Sequence, residues 1–133
     1  MAVKPVPDGY HTVTPYLTVS DAAGLIRFLE QAFDGRCTER MEGPDGKVAH
    51  AEVRLGDSVV MIGQARGEWS PMPGQIYLYL PDCDAAYKRA LAAGATSVRE
   101  PTTQFYGDRS SGVRDPFGNH IRIAQMAAVP AAR

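Results

Sequence analysis

Two histidines and a glutamate are the side chains best suited to bind a metal or move a proton. His50 and Glu52 lie two positions apart in the alternating stretch Val48–Leu55, so in a strand they point to the same face. Imidazole nitrogens and carboxylate oxygens bind divalent metals, and either group can act as a general base. His50, Glu52 and His120 are therefore a candidate metal-ligand set. The alternatives are a metal-free general base at His50 or Glu52, and an ordinary solvent-facing strand.

Aromatic side chains and two arginines indicate a different chemistry, the binding of a planar or anionic molecule. Aromatic rings offer surfaces for stacking, and a guanidinium can donate two parallel hydrogen bonds to a carboxylate. The aromatic residues are Tyr16, Trp69, Tyr77, Tyr79, Phe105 and Tyr106, and the arginines are Arg109 and Arg122. Two alternatives stay open: Trp69 as a packed lid or a subunit contact, and Tyr106, Asp108 and Arg109 as a structural loop.

Composition limits the class of protein that these residues belong to. The chain has 133 residues, 44% of them hydrophobic and 22% charged, with a net charge of -1, which is typical of one globular domain. The sequence contains no basic stripe of the kind that would indicate a nucleic-acid partner. Its apolar stretches are also shorter than a membrane span needs, and we expect no signal peptide. We therefore expect a cytoplasmic protein with no nucleic-acid or membrane partner. Cys37 and Cys83 have no metal-ligand spacing, and we expect two buried free thiols.

An internal repeat predicts how the chain positions these side chains. The stretch from Thr14 to Asp21 recurs from Gln75 to Asp82, at a constant offset of 61 positions. A helical pattern follows each copy, starting at Ser20 or Asp21 and at Asp82 and stopping at Gly35 and Gly94. Turn signals then divide each half into three strands. The predicted strands are Cys37 to Glu42, Val48 to Leu55, Ser58 to Gln64, Thr96 to Pro101, Arg109 to Asp115 and His120 to Gln125.

Alternation along the strands predicts one apolar face that packs under the helices and one polar face that forms a cleft wall. The apolar set is Leu17, Val19, Val59, Met61, Ile76, Leu78, Leu80, Ile121 and Ile123. The opposite set is Thr14, Tyr16, Thr18, Ser58, Val60, Ile62, Gln64, Gln75, Tyr77, Tyr79, His120, Arg122 and Ala124.

These features resemble the vicinal oxygen chelate superfamily, which includes glyoxalase I, extradiol dioxygenases and bleomycin-binding proteins. The phrases that carry the resemblance are GYHTVTPYLTV (9–19), GPDGKVAHAEVRLGDSVVM (43–61), ALAAGAT (90–96) and FYGDRSSGVRDPFGNH (105–120). They are most similar to the PhnB-like branch. The resemblance implies an α+β fold of two βαβββ modules whose curled mixed sheets surround a cleft, and a homodimer. We expect one domain over residues 1–133, with module one at about 10–64, a connection at 65–74 and module two at about 75–126.

The resemblance also implies where metal-dependent members of the superfamily place their four ligands. Those positions fall at Thr14 and Gln75 in the opening strands, and at Arg122 and Val60, or Met61 after a one-residue slip, in the closing strands. A guanidinium has no lone pair to offer and repels a cation, and neither Val60 nor Met61 supplies a hard ligand. Gln75 alone is suitable, so we expect no metal site of the usual kind.

The sequence therefore predicts a metal-independent small-molecule-binding protein without a cofactor, in the manner of the drug-sequestering resistance members of that superfamily. Its aromatic or anionic ligand would lie in the cleft. The alternative is a metal-dependent lyase, isomerase or dioxygenase with an irregular ligand set, so enzymatic activity stays open. The predicted ligand-binding residues are Tyr16, His50, Glu52, Trp69, Gln75, Tyr77, Tyr79, Tyr106, Arg109, His120 and Arg122.

Overall fold

A computed structural model describes residues 3–127 and confirms the α+β class with two strand-helix-three-strand halves. The first half contains β1 (Tyr16–Val19), α1 (Ala22–Phe33), β2 (Arg36–Glu42), β3 (Val48–Leu55) and β4 (Ser58–Gln64). The second contains β5 (Gln75–Tyr79), α2 (Cys83–Ala92), β6 (Thr96–Thr103), β7 (Arg109–Arg114) and β8 (His120–Gln125). Neither helix has the length and apolarity to cross a bilayer within residues 3–127.

Each half builds its own four-stranded mixed sheet. The strand orders are β1-β4-β3-β2 and β5-β8-β7-β6, so the first strand of each half pairs in parallel with the last. The chain divides into two compact units after Met72, inside the predicted connection, with Gln31–Phe33 of α1 assigned to the second unit. Because turn-forming glycines separate the strands, the predicted strands end within two residues of the observed ones.

The repeat is visible in how the two helices begin. Asp21 accepts a hydrogen bond from the Gly24 backbone nitrogen at 3.0 Å, so the cap is Asp21 and not Ser20. Gln64 of β4 accepts a second one, from the Ala22 backbone nitrogen at 2.9 Å. At the same offset in the second unit, Asp82 and Gln125 accept from the Ala85 and Cys83 backbone nitrogens at 3.1 and 3.0 Å. In each half, therefore, an aspartate before the helix and a glutamine from the closing strand accept hydrogen bonds from backbone nitrogens of the first helical turn.

The helix ends differ from each other. The residue with left-handed backbone after α1 is Asp34, at φ 56°, and the next nitrogen, that of Gly35, donates to the Leu29 carbonyl at 3.0 Å. The predicted stop at Gly35 lies two residues after Phe33, the last residue of α1, although the left-handed residue is Asp34 and not the glycine. After α2 the predicted stop at Gly94 is correct, since Gly94 adopts φ 112°, where a side chain would be strained.

The register of β4 corrects the predicted faces of the first sheet. Leu17 lies opposite Ile62, and Tyr16 lies opposite Met61; paired residues of adjacent strands share a face. Ile62, which is fully buried, therefore faces the core beside Leu17, and the prediction that placed Met61 there was wrong. The cause is that β4 is apolar on both faces, so alternation gave no signal. Val60 and Gln64 belong to the helix side as well, and Val59 to the polar side.

The apolar face of the second sheet follows the prediction in part. Ile121 and Ile123 of β8 are buried, but Ile76 and Leu78 of β5, which lie opposite them, and Leu80 are only half-buried. The thiols divide differently from expectation: Cys83 is buried but Cys37 is only half-buried, and both are free. Burial raises the pKa of the Cys83 thiol, because the thiolate would lose its hydration.

Candidate functional site

The polar face of the first sheet brings together three of the predicted site residues. Glu52 of β3 lies opposite Met61 of β4, and Met61 lies opposite Tyr16 of β1. His50, two positions before Glu52, lies opposite Gly63 on the same face. The structure therefore places Tyr16, His50 and Glu52 on one face, and the alternation of Val48–Leu55 had predicted this for His50 and Glu52.

Glu52 is the buried charged residue of this face, with 7% of its surface exposed. One carboxylate oxygen accepts a hydrogen bond from the Tyr10 hydroxyl, and the other lies 3.7 Å from Nε2 of His50. The bond to Glu52 raises the pKa of Tyr10 above its ordinary value, with burial as a second cause. The site list from sequence omitted Tyr10, because 42 positions separate it from Glu52 and no local pattern connects them.

Tyr16 lies across the backbone of the closing strand. A Cβ atom on Gly63 would stand 2.6 Å from the Tyr16 hydroxyl oxygen, so the ring can adopt this position only because residue 63 is glycine. From there the Tyr16 hydroxyl reaches to 3.4 Å from Nδ1 of His50, and the two ring centroids are 5.8 Å apart. Gly63 thus positions the Tyr16–His50 pair.

A cavity of about 300 Å³ opens beside Glu52. Its walls are the polar face of the first sheet and the chain segment that precedes β1. The lining residues are Pro5, Val6, Pro7, Tyr10, His11, Thr12, Thr14, Glu52 and Met61.

The polar face of the second sheet presents the tyrosines and one arginine. Tyr77 of β5 lies opposite Arg122 of β8, and Gln75 lies opposite His120. The rings of Tyr77 and Tyr79 have centroids 5.2 Å apart and are 43% and 60% exposed. Arg122 is exposed, and no carboxylate within residues 3–127 pairs with it. These four residues, Gln75, Tyr77, Tyr79 and Arg122, form what we call the tyrosine-arginine face.

Two further predicted residues border this face. Tyr106, in the loop before β7, shares a hydrogen bond with Tyr77. Burial is the largest cause that raises the pKa of Tyr77, and the nearby Tyr106 and Tyr79 hydroxyls are the next. His120 is already engaged, since Nη2 of Arg114 donates to its Nε2 at 3.0 Å. A guanidinium has no acceptor, so Nε2 of His120 is the acceptor in this contact.

Arg109 and Trp69 are not brought to the tyrosine-arginine face. Arg109 donates from Nε and Nη2 to the two carboxylate oxygens of Asp84 in α2, at 2.6 and 3.0 Å. This places Arg109 on the helix side of the sheet and favours the structural-loop alternative for it. The pairing holds the pKa of Asp84 below its ordinary value. Trp69 is 68% exposed in the connection, where its backbone bridges to Arg66.

The residues at the four implied metal positions do not fit a metal ion. In the two sheets, Tyr16 lies opposite Met61 and Tyr77 lies opposite Arg122. The residue of β4 that corresponds to Arg122, and so stands at the implied ligand position, is therefore Met61 and not Val60. A thioether and a guanidinium therefore stand where two hard ligands would be needed. Within residues 3–127 no three His, Cys, Asp or Glu side chains are grouped to hold a metal.

Comparisons with known proteins agree with this architecture. The model of the Glyoxalase/Bleomycin resistance protein/Dioxygenase superfamily matches residues 10–123. Uncharacterized proteins of Mycobacterium bovis and Mycobacterium tuberculosis are 40% identical over 124 residues, covering 85% of this chain and 82% and 73% of theirs.

Solved structures show the same fold at lower identity. TioX from Micromonospora sp. ML1 superposes with a TM-score of 0.75 at 22% identity, covering 86% of this chain and 98% of that one. A glyoxalase/bleomycin resistance protein/dioxygenase family enzyme from Burkholderia phytofirmans PsJN gives 0.65 at 18% identity, covering 84% and 95%.

Proposed function

The chain belongs to the glyoxalase/bleomycin resistance protein/dioxygenase superfamily, and from this premise we propose that it binds a small planar anion without a metal ion. The ligand lies on the tyrosine-arginine face, stacked on Tyr77 and Tyr79, with its anionic group held by Arg122. In this proposal the protein sequesters its ligand and neither forms nor breaks a covalent bond in it. The proposal also keeps the PhnB-like branch and the homodimer that the resemblance implied, and the cytoplasmic location expected from the composition.

The observation that carries the proposal is that Arg122 lies among exposed tyrosine rings and pairs with no carboxylate of the described residues 3–127. An arginine side chain that contacts only water adds little to the stability of the protein, but a carboxylate ligand docked against it accepts charge-assisted hydrogen bonds. Exposed aromatic rings beside such a cation offer apolar surface that a planar ligand can bury. Arg109 lacks this property because Asp84 already occupies its guanidinium.

The same residue supports independence from metal. Arg122 occupies a position that metal-dependent members of the superfamily use for a ligand, and its positive charge repels a cation while it attracts an anion. Gln75 is the one suitable donor of that set. The chemistry of these side chains thus favours direct binding of an anionic group over chelation through a metal.

Calorimetric titration with 2-naphthoate tests the proposal, with EDTA present throughout. Replacing Arg122→Ala removes the charge-assisted hydrogen bonds, and we expect affinity to fall about ten-fold or more. Tyr79→Ala should weaken binding by a similar factor, because buried aromatic anchors dominate such contacts. Lys88→Ala is the matched control: it removes one exposed positive charge from α2 and should leave affinity unchanged.

Either of two results would contradict the proposal. If Arg122→Ala and Tyr79→Ala bind 2-naphthoate as the parent protein does, the tyrosine-arginine face is not the site. If binding requires added Zn²⁺, Ni²⁺ or Mn²⁺, the metal-dependent lyase, isomerase or dioxygenase becomes the better account. Native mass spectrometry of the same samples counts subunits and tests the proposed homodimer.

A further inference from the structure

The cavity beside Glu52 has the properties of a second binding site, built from residues other than the tyrosine-arginine face. Glu52 is the one acidic side chain among its lining residues. Most of the remaining lining is apolar, with Pro5, Val6 and Pro7 on one side and Met61 on the sheet. The volume of about 300 Å³ lies at the lower end of the range for small-molecule pockets.

The carboxylate of Glu52 has capacity for a further donor. Two carboxylate oxygens together offer about four acceptor positions. In the described part of the chain they accept one hydrogen bond, from Tyr10. Nε2 of His50 is 3.7 Å from the other carboxylate oxygen, beyond hydrogen-bond distance. A buried carboxylate with free acceptor positions is stabilised by a ligand that brings its own N–H donors and positive charge.

Two basic side chains near the cavity, His11 and Arg54, are hydrogen-bonded to backbone carbonyls. Nε2 of His11 donates to the Asp57 carbonyl at 3.1 Å. Arg54, the basic neighbour on the same strand face, donates from Nη2 to the Gly9 carbonyl at 3.2 Å. Together with the Tyr10–Glu52 bond, these contacts fasten the segment at residues 9–11 and fix this wall of the cavity.

We propose that this cavity binds a small primary amine with an apolar body, with its ammonium group on the free acceptor positions of Glu52. The hydrocarbon part packs against the prolines and Met61, which gives the burial that a lone ion pair at the surface lacks. The Tyr10 hydroxyl holds the carboxylate in place and also occupies one acceptor position that the amine could use.

Protein-observed NMR titration with phenethylamine tests this site, with 2-phenylethanol as the neutral probe of the same shape. In the parent protein we expect amide shifts at Tyr10, Glu52 and Met61. We also expect at least about ten-fold tighter binding of the amine than of the alcohol, since hydrogen bonds to charged groups are the stronger ones. This comparison needs no variant, so it holds even if a substitution at Glu52 impairs folding.

Three variants give the matched controls. Glu52→Gln keeps shape and removes charge, and should reduce phenethylamine binding to the level of the alcohol. Glu39→Gln removes an exposed charge directly opposite on β2 and should change affinity less than two-fold if the effect is local. Tyr10→Phe frees an acceptor position and should preserve amine binding. Equal binding of amine and alcohol, unchanged binding in Glu52→Gln, or shifts confined to the tyrosine-arginine face would overturn the proposal.

Discussion

Alanine at Gly35 and alanine at Gly63 are expected to have different consequences, although each new methyl would be crowded. Neither glycine adopts the left-handed backbone region, so the added Cβ atom is the only obstacle. At Gly35 it would stand 2.9 Å from the Leu29 carbonyl oxygen and 2.9 Å from Cγ1 of Val53. The first is backbone at the end of α1 and the second belongs to a fully buried side chain, so neither can move cheaply.

At Gly63 the close atoms belong to a side chain that can leave. The nearest atom is the Tyr16 hydroxyl oxygen at 2.6 Å, and Tyr16 is 55% exposed. The ring can rotate into solvent, which releases its contact with His50 but leaves the core intact. Replacing a strand glycine also lowers the entropy of the unfolded chain, which favours folding by roughly 0.4–1 kcal/mol.

These terms set the expected magnitudes. Overpacking costs typically about 1–3 kcal/mol, so after the unfolded-state gain Gly35→Ala should lose about 1–2 kcal/mol of unfolding free energy and lower Tm by roughly 3–8 °C. Gly63→Ala should stay within about 0.5 kcal/mol of the parent. Urea unfolding followed by circular dichroism measures both. A Gly63→Ala variant as destabilised as Gly35→Ala, or a neutral Gly35→Ala, would refute this reasoning.

Three further predictions follow from single contacts. The hydrogen bond to Glu52 raises the pKa of Tyr10, so the stability that Tyr10 adds over Tyr10→Phe should be complete below pH 10 and decline as the pH rises through the raised pKa. Urea unfolding of both proteins at each pH measures this difference. A difference that grows above pH 10 would contradict the prediction. Iodoacetamide should label Cys37 well before Cys83 in the native protein, which peptide mass spectrometry reports, and equal rates would mean that Cys83 is not buried as described. Asp82→Ala should cost about 1 kcal/mol in urea unfolding, since it removes the α2 cap; an unchanged midpoint would mean that the cap is dispensable.

Turn chemistry and the repeat were enough to predict the elements, and alternation was enough to predict that His50 and Glu52 share a face. Glycine-rich turns mark the strand ends, and the alternation of β3 places His50 beside Glu52 correctly. The register of β4 was mispredicted because both faces of that strand are apolar. The repeat offset contained the missing information, since it matches Met61 to Arg122 on the polar face.

Long-range pairings account for what the sequence could not reveal. The partner of Glu52 is Tyr10, and the partner of Arg109 is Asp84, 42 and 25 positions away. Such contacts depend on how loops and helices pack against the sheet, and the periodicity of apolar residues does not predict that packing. Arg109 and Arg122 therefore look equivalent in the sequence, whereas among residues 3–127 Asp84 pairs with Arg109 and no carboxylate pairs with Arg122.

An NMR titration of EDTA-treated, ¹⁵N-labelled protein with 2-naphthoate would show both where the ligand binds and whether binding occurs with metal ions chelated. We expect saturable amide shifts concentrated at Gln75, Tyr77, Tyr79 and Arg122. Absent shifts, or shifts that arise only after Zn²⁺ or Mn²⁺ is added, would contradict a metal-independent site on the tyrosine-arginine face.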